Sequence, residues 1–255
     1  MLYRAAVTPA TVEVSIKGKQ VARPALHVDG TTVVVAGRWL RVATIHDEEW
    51  TEHGRAEIDA CLRTLAARRP AADLFAFTQQ LPDVTPRFPY PFEWVHVAAI
   101  PITTYDEWWR RLSHETRNVI RRAARRGVVV RVVDFDDALV AGIKAIYDET
   151  PVRQGKEFWH YRKTFDTVKR ENATYLERST FLGAYHDGEL IGFMKLVSMG
   201  AVAAPMQILS MMKHHDKKPS NALIASAVEH CARGGRSFLT YGEYRHRKQH
   251  QESTL

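Results

Sequence analysis

The sequence predicts a mixed α/β protein, and three observations carry that prediction. "TFLGAYHDGELIGFMKLVSMG" sets two alternating apolar runs around Asp187-Gly188, a dipeptide suited to the left-handed turn of a β-hairpin. "MQILSMMK" then reads as a strand, followed by a basic turn, a helix carrying Leu223, Ile224, Ala227, Val228 and Cys231, and the strand "SFLTYG". Upstream, strand-like and helix-like segments alternate through the first half. At 255 residues the chain is long enough to bury a substantial core in one or two domains.

The elements follow in order. Residues 1–25 show no clear pattern and are expected to be irregular. "TTVVVAGRWLRVATI" predicts two strands joined by a turn at Ala36-Gly37. A helix follows on the spacing of Ile58, Leu62, Leu65 and Ala66, ended by Arg68, Arg69 and Pro70. "DLFAFT" reads as a buried strand, "QQLPDVTPRFPYPFE" as a proline-rich loop, and "EWVHVAAI" as the next strand. Thr104 and Glu107 have the spacing of a capping box opening one long helix that Gly127 closes. "VVVRVV" is a strand, and Leu139, Ile143 and Ile146 mark a helix. After a turn-like aromatic stretch, "ETPVRQGKEFWHY", a short helix is expected near residues 161–171.

A hydrophobic share of 45% and a charged share of 25% fit an ordinary soluble protein, with no run long enough for a signal peptide or a membrane span. Cys61 and Cys231 sit in apolar helical patterns and read as core thiols in a reducing cytosol. A net charge of +7 points to anionic partners without choosing among RNA, membrane surface and phosphorylated small molecules. On one continuous helix, Arg110, Arg111, Arg117, Arg121, Arg122, Arg125 and Arg126 would form one broad face opposite Trp109, Leu112, Val119, Ile120 and Ala123. Guanidinium forks match phosphate oxygens, so this face reads as a seat for a polyanion such as tRNA; a solvated amphipathic helix is the alternative. On the aromatic stretch, Arg153, Gln154, Trp159 and His160 are candidates to line a pocket, or the aromatic residues simply anchor a loop. Adjacent His214 and His215 make a poor chelate, His246 and His250 lie in a polar tail, and no metal site is expected.

The hairpin, the strand, the basic turn "KKPSNA" before a helix and the last strand together resemble the GNAT acyltransferase superfamily. "SHETRNVIRRAARRGVVV" resembles its FemAB-like and BioF2-like members, in which two GNAT-like halves sit in tandem. The resemblance implies central mixed sheets flanked by helices: an N-terminal half at residues 26–149 bearing the arginine-rich helix and a C-terminal half at 150–255. It implies transfer of an acyl or aminoacyl group, from acyl-CoA or aminoacyl-tRNA as donor, to an amine. Lys217, Lys218, Ser220, Asn221 and Ala222 would hold the donor's phosphate where the family has a glycine-rich loop, with Pro219 removing one amide donor. Arg117, Arg121 and Arg125 would hold a larger anionic partner. Tyr241 would protonate the leaving group and Glu243 would accept a proton through water, with Lys195 on the hairpin nearby. The alternative is a non-catalytic GNAT-like shell that binds a polyanion, RNA or a phosphorylated cell-wall precursor. "EYRHRKQHQESTL" is too short and polar for a further hairpin, which would leave the last strand with a bare edge.

Overall fold

Residues expected to be irregular form a hairpin instead. β1 (Val7–Ile16) and β2 (Lys19–Val28) pair antiparallel from Val7↔Val28 to Ile16↔Lys19. Val12 and Val14 alternate with Thr11 and Glu13, the period of a strand. The two prolines that speak against pairing are tolerated by position. Pro9 lies on an edge strand, and Pro24 lies beyond the stretch of β2 that a third strand covers. The computed structural model describes residues 7–16, 19–67 and 72–243, which divide into two units at Phe92/Glu93. The helix stop at Arg68, Arg69 and Pro70 and the tail from residue 244 lie outside the described residues.

In the first unit, β3 (Thr31–Ala36), β4 (Val42–Ile45), α1 (Arg55–Ala67) and β5 (Leu74–Ala76) complete a sheet of order β1-β2-β3-β4-β5. Ala60, Cys61 and Leu65 of α1 pack on Leu26, Val33 and Ala43. The turn after β3 demands glycine: Gly37 has a φ of 110°, and a Cβ there would lie 1.9 Å from the Leu40 carbonyl oxygen. Arg41 fixes the base of this turn, its N–H donating to Asp73 Oδ2 at 2.7 Å and its guanidinium to both carboxylate oxygens at 3.3 Å.

The second unit begins with β6 (Val97–Pro101). The single long helix expected next is two, α2 (Tyr105–Arg111) and α3 (His114–Arg125). Leu112 turns extended between them, and the Ser113 hydroxyl caps the new start by accepting the Thr116 N–H at 3.1 Å. Thr104 caps α2 as expected, accepting the Glu107 N–H at 3.2 Å, while the Glu107 carboxylate turns to the Thr103 hydroxyl. Then come β7 (Val129–Val133), α4 (Asp137–Asp148), a two-residue hairpin of β8 (Val152–Arg153) and β9 (Lys156–Glu157), and α5 (Phe165–Asn172). β10 (Ser179–His186) and β11 (Glu189–Met199) form the expected hairpin, with Asp187 and Gly188 at φ of 48° and 82°. β12 (Val202–Ser210), a short 3-10 turn (Met212–Lys217), α6 (Pro219–Arg233) and β13 (Phe238–Glu243) follow.

The sheet runs β6-β13-β12-β11-β10-β7. One face buries Ala123 of α3 and Leu223 and Val228 of α6 against Leu182, Ile191 and Leu196; the other buries Val140, Ile143 and Tyr147 of α4 against Phe181 and Phe193. This order changes the expected division. The two outer strands precede residue 150 and the four inner ones follow it, so residues 97–149 share one sheet with the later strands, and the arginine helix belongs to the second unit. The edge of β13 is not bare either: Phe238, Leu239, Thr240 and Glu243 pair with Pro101, Ile100, Ala99 and Val97 of β6. Cys61 and Cys231 are free, buried thiols, both pushed up to about 11 by burial. Among the described residues no helix is long and apolar enough to cross a membrane.

Candidate functional site

β12 and β13 are parallel, yet they pair only at Val202↔Phe238 and Ala203↔Leu239. Beyond Ala203 the ladder stops. Pro205 carries no N–H, and Met206 is an extra residue in the register with β11, which runs Lys195↔Gln207 and then Leu196↔Pro205. A proline and a bulge re-aim a strand and end its pairing. The C-terminal ends of two neighbouring parallel strands therefore part, which in an α/β sheet is where a ligand crevice forms.

α6 starts beside that opening. Its start is tied to the end of β12 by a 3.1 Å hydrogen bond between the Ser210 and Ser220 hydroxyls. Lys218 takes a left-handed conformation, φ 60°, and Pro219 occupies the first helical position, where its missing N–H costs nothing within the helix. Of the donors expected here, the Ala222 N–H is engaged by the Lys218 carbonyl at 3.3 Å and the Ser220 hydroxyl by Ser210. The N–H groups of Ser220 and Asn221 stand in the first turn, where no intrahelical acceptor exists; Lys217 and Lys218 precede them in the chain, and the Lys217 ammonium lies 3.6 Å from Asp216 Oδ1. Lys217, Lys218, Ser220, Asn221 and Ala222 are all half-buried, so the helix start is neither packed shut nor fully solvated.

Side chains from distant segments hold this end of β12. The Glu149 carboxylate, just past α4, accepts the N–H groups of Met212 at 2.6 Å and Lys213 at 2.8 Å, capping the 3-10 turn. Arg153 donates to the Ser210 and Ile146 carbonyls, both at 2.9 Å, and to Glu149 at 3.4 Å. Arg153 thus clamps the end of β12 to the end of α4. Gln154, at φ 51°, forms the exposed apex of the β8–β9 turn. Inside, Tyr147 donates to Gln207 Oε1 at 2.7 Å and the Gln207 amide meets His160 Nε2 at 3.0 Å. Since the amide nitrogen only donates, His160 Nε2 is the acceptor and Nδ1 carries the proton, 3.9 Å from Glu171 Oε2. Burial first, then Lys163 and Arg153, push His160 down to about 3, so it stays neutral. Trp159 next to it is exposed, with Lys163 Nζ 3.6 Å from its ring centre.

The remaining candidates separate. Tyr241, near the end of β13, is 61% exposed and so available to a ligand; Glu243 ends the strand, its side chain outside the described residues. Lys195 is fully buried rather than at the surface. Its ammonium donates to the Asn172 carbonyl at 2.9 Å, the Thr174 carbonyl at 2.5 Å and the Thr174 hydroxyl at 2.8 Å. Three donors meet three acceptors, which makes Lys195 the anchor of the connection between α5 and β10 and leaves no proton for a substrate. On α3, Arg117 caps α2 through the Arg110 carbonyl at 3.2 Å, and Arg121 lies over Trp109 at 5.4 Å. Arg122 and Arg125 are exposed, and Arg126 donates to Asp216 Oδ2 at 3.0 Å, which puts the end of the arginine helix against the turn before α6. Arg110 and Arg111 lie on α2, across the break.

Sequence reading alone missed Glu149, Tyr147 and Gln207. Only Gln207 carried a local signal, a lone amide in "MQILSMM", a run whose one other polar residue is Ser210.

No protein-family profile matches this sequence, and no curated protein matches it by sequence. Solved structures do match by shape. FemX superposes with a TM-score of 0.57 at 10% identity, over 95% of this chain and 81% of that one. L-PGS from Bacillus licheniformis gives 0.53 at 14% identity, over 84% of this chain and 65% of the other. The C-terminal domain (DUF2156) of a putative lysylphosphatidylglycerol synthetase from Agrobacterium fabrum gives 0.52 at 14%, over 84% and 67%. The chain, with its two mixed sheets flanked by helices, thus shares the fold of FemX and of the lysylphosphatidylglycerol synthetase domain, the mixed α/β architecture that the sequence predicts.

Proposed function

We propose that this protein is an N-acyltransferase of the GNAT/FemAB-like type, moving an acyl or aminoacyl group from coenzyme A or aminoacyl-tRNA to an amine. The observation that carries the reading is the parting of β12 and β13 after two residue pairs, with the start of α6 at the opening. The fold shared with FemX and the lysylphosphatidylglycerol synthetase domain supports transfer chemistry in general. Lys217, Lys218 and the N–H groups of Ser220 and Asn221 hold the donor's phosphate. The acyl carbonyl lies between the strands, where the acceptor nitrogen attacks it. A C–N bond forms, the donor's C–S or C–O bond breaks, Tyr241 protonates the leaving atom and Glu243 takes the amine's proton through water. Arg153 and the neutral His160 hold the crevice wall. Arg121 and Arg125, with Arg117 bracing α2 against α3, face the larger anionic partner.

The test is the double variant Lys217→Ala/Lys218→Ala, with donor affinity read from thermal shifts against acyl-CoA and aminoacyl-tRNA analogues. Loss of the shift supports the seat; unchanged affinity removes it. One observation favours a second reading, a binding protein without catalysis: Pro219 and Ala222 leave only two first-turn N–H groups for a phosphate. That reading predicts salt-dependent retention on RNA with no shift from any donor.

A further inference from the structure

The β3–β4 turn of the first unit presents apolar side chains to solvent. Trp39 is 95% exposed and Leu40 59%, while Leu74, whose partner in β4 is Val42 at the base of the turn, is 52% exposed. A single exposed apolar residue is ordinary, but a tryptophan and a leucine together at the tip of a fixed turn are not. The turn is rigid for the reasons given above: Gly37 admits no Cβ, and Arg41 grips Asp73 through three hydrogen bonds. In this conformation the tip leaves both apolar side chains in solvent. Its charge has one sign. Gly37 to Arg41 include no acid: Arg38 is exposed beside Trp39, and Arg41, at the other side, pairs with Asp73.

We propose that this tip docks the protein on an anionic lipid surface, with Trp39 and Leu40 entering the headgroup region and Arg38 meeting lipid phosphates. Size and chemistry both select a bilayer over a protein partner. A stable protein interface buries roughly 800 Å² on each side, more than two side chains on a five-residue turn supply. A bilayer asks only for shallow entry of an amphipathic ring and a guanidinium, the residues that collect at membrane interfaces. Basic side chains and a chain charge of +7 add attraction to an anionic leaflet.

The experiment uses the full chain and co-sedimentation with vesicles, either phosphatidylcholine alone or an equal mixture with phosphatidylserine. Wild type sediments with the mixed vesicles and far less with the neutral ones. Trp39→Ser/Leu40→Ser lowers the vesicle partition coefficient at least about tenfold, because one large apolar side chain leaving water is worth that much in an equilibrium constant. The variant's unfolding midpoint matches wild type, since both side chains are exposed. Three results overturn the proposal: no sedimentation of wild type; sedimentation that survives the tip variant but disappears in Arg122→Glu/Arg125→Glu, which places the binding surface on α3; or concentration-dependent self-association abolished by the tip variant, which makes the tip an interface between copies. None involves a donor or a transfer, so failure here leaves the proposed function untouched.

Discussion

Lys195→Met replaces a buried ammonium by an apolar side chain of similar length, and its consequence is legible as a pH slope. Burial lowers Lys195 from 10.5 to about 8, with Glu177 opposing the shift only partly. A base whose folded value is depressed adds stability above its unfolded value and loses it as pH falls through the folded value. Between 10.5 and about 8 the unfolded chain holds the proton and the folded one does not; below that window the folded protein carries the cost of a buried charge. The shift corresponds to roughly 3 kcal/mol. Methionine removes that cost but leaves the Asn172 and Thr174 carbonyls without their donor, about 1–3 kcal/mol each. At neutral pH the two effects offset, so the absolute change is small and the slope is diagnostic. Urea unfolding of both proteins from neutral pH to 10.5 should show wild type gaining about 3 kcal/mol on the variant across the window. Tyr147, pushed up to about 12, destabilises both alike above 10.0 and cancels in the difference. A flat or falling difference would refute the account of Lys195 as a buried, desolvated anchor.

Other outcomes follow from the same geometry. Glu149→Ala strips the caps from Met212 and Lys213 and removes the one carboxylate among Arg153's three partners, costing about 3 kcal/mol in urea unfolding and weakening donor thermal shifts. His160→Phe blunts acid sensitivity: wild type loses stability as pH falls from 6.5 toward 3 because only its unfolded chain takes the proton, and the variant's acid titration should be shallower there. Gln207→Leu removes one of the Tyr147 hydroxyl's two side-chain partners, Asn172 remaining, and leaves the His160 ring nitrogen without its donor, lowering stability by about 2 kcal/mol and shifting the imidazole tautomer seen by nitrogen NMR. Arg122→Glu/Arg125→Glu weakens retention on RNA and flattens its logarithmic salt slope by about one unit for each phosphate the protein no longer neutralises.

Elements written in local code were legible. Asp187-Gly188 fixed the central hairpin because two left-handed residues dictate a turn without help from elsewhere. Thr104 announced the start of α2, and Ser113 could have announced α3, but the apolar spacing runs on through Leu112 and hides the break. β1 and β2 show alternation that Pro9 and Pro24 obscure; edge position and incomplete cover by β3 excuse both, and neither is visible locally. The helix start at Lys217–Ala222 was legible because a basic turn before a small-residue helix is local. Its supports were not: Glu149 meets Met212 and Lys213, and Arg153 meets Ser210, across more than fifty residues. Lys195 was misjudged because nothing local separates an exposed lysine on a hairpin from one whose ammonium meets Asn172 and Thr174.

The strand order of the second unit also governs how the chain can assemble as it leaves the ribosome. β6 and β7, the outermost strands, are synthesised first, and neither has a neighbour until the β10–β11 hairpin arrives. β7 can dock on β10 then, but β6 must wait for β13, some 140 residues later, with its edge and the apolar side of α2 unsatisfied. Closure of the β6–β13 ladder should therefore be the last folding event, and nascent chains halted before residue 238 should be the ones that chaperones hold longest.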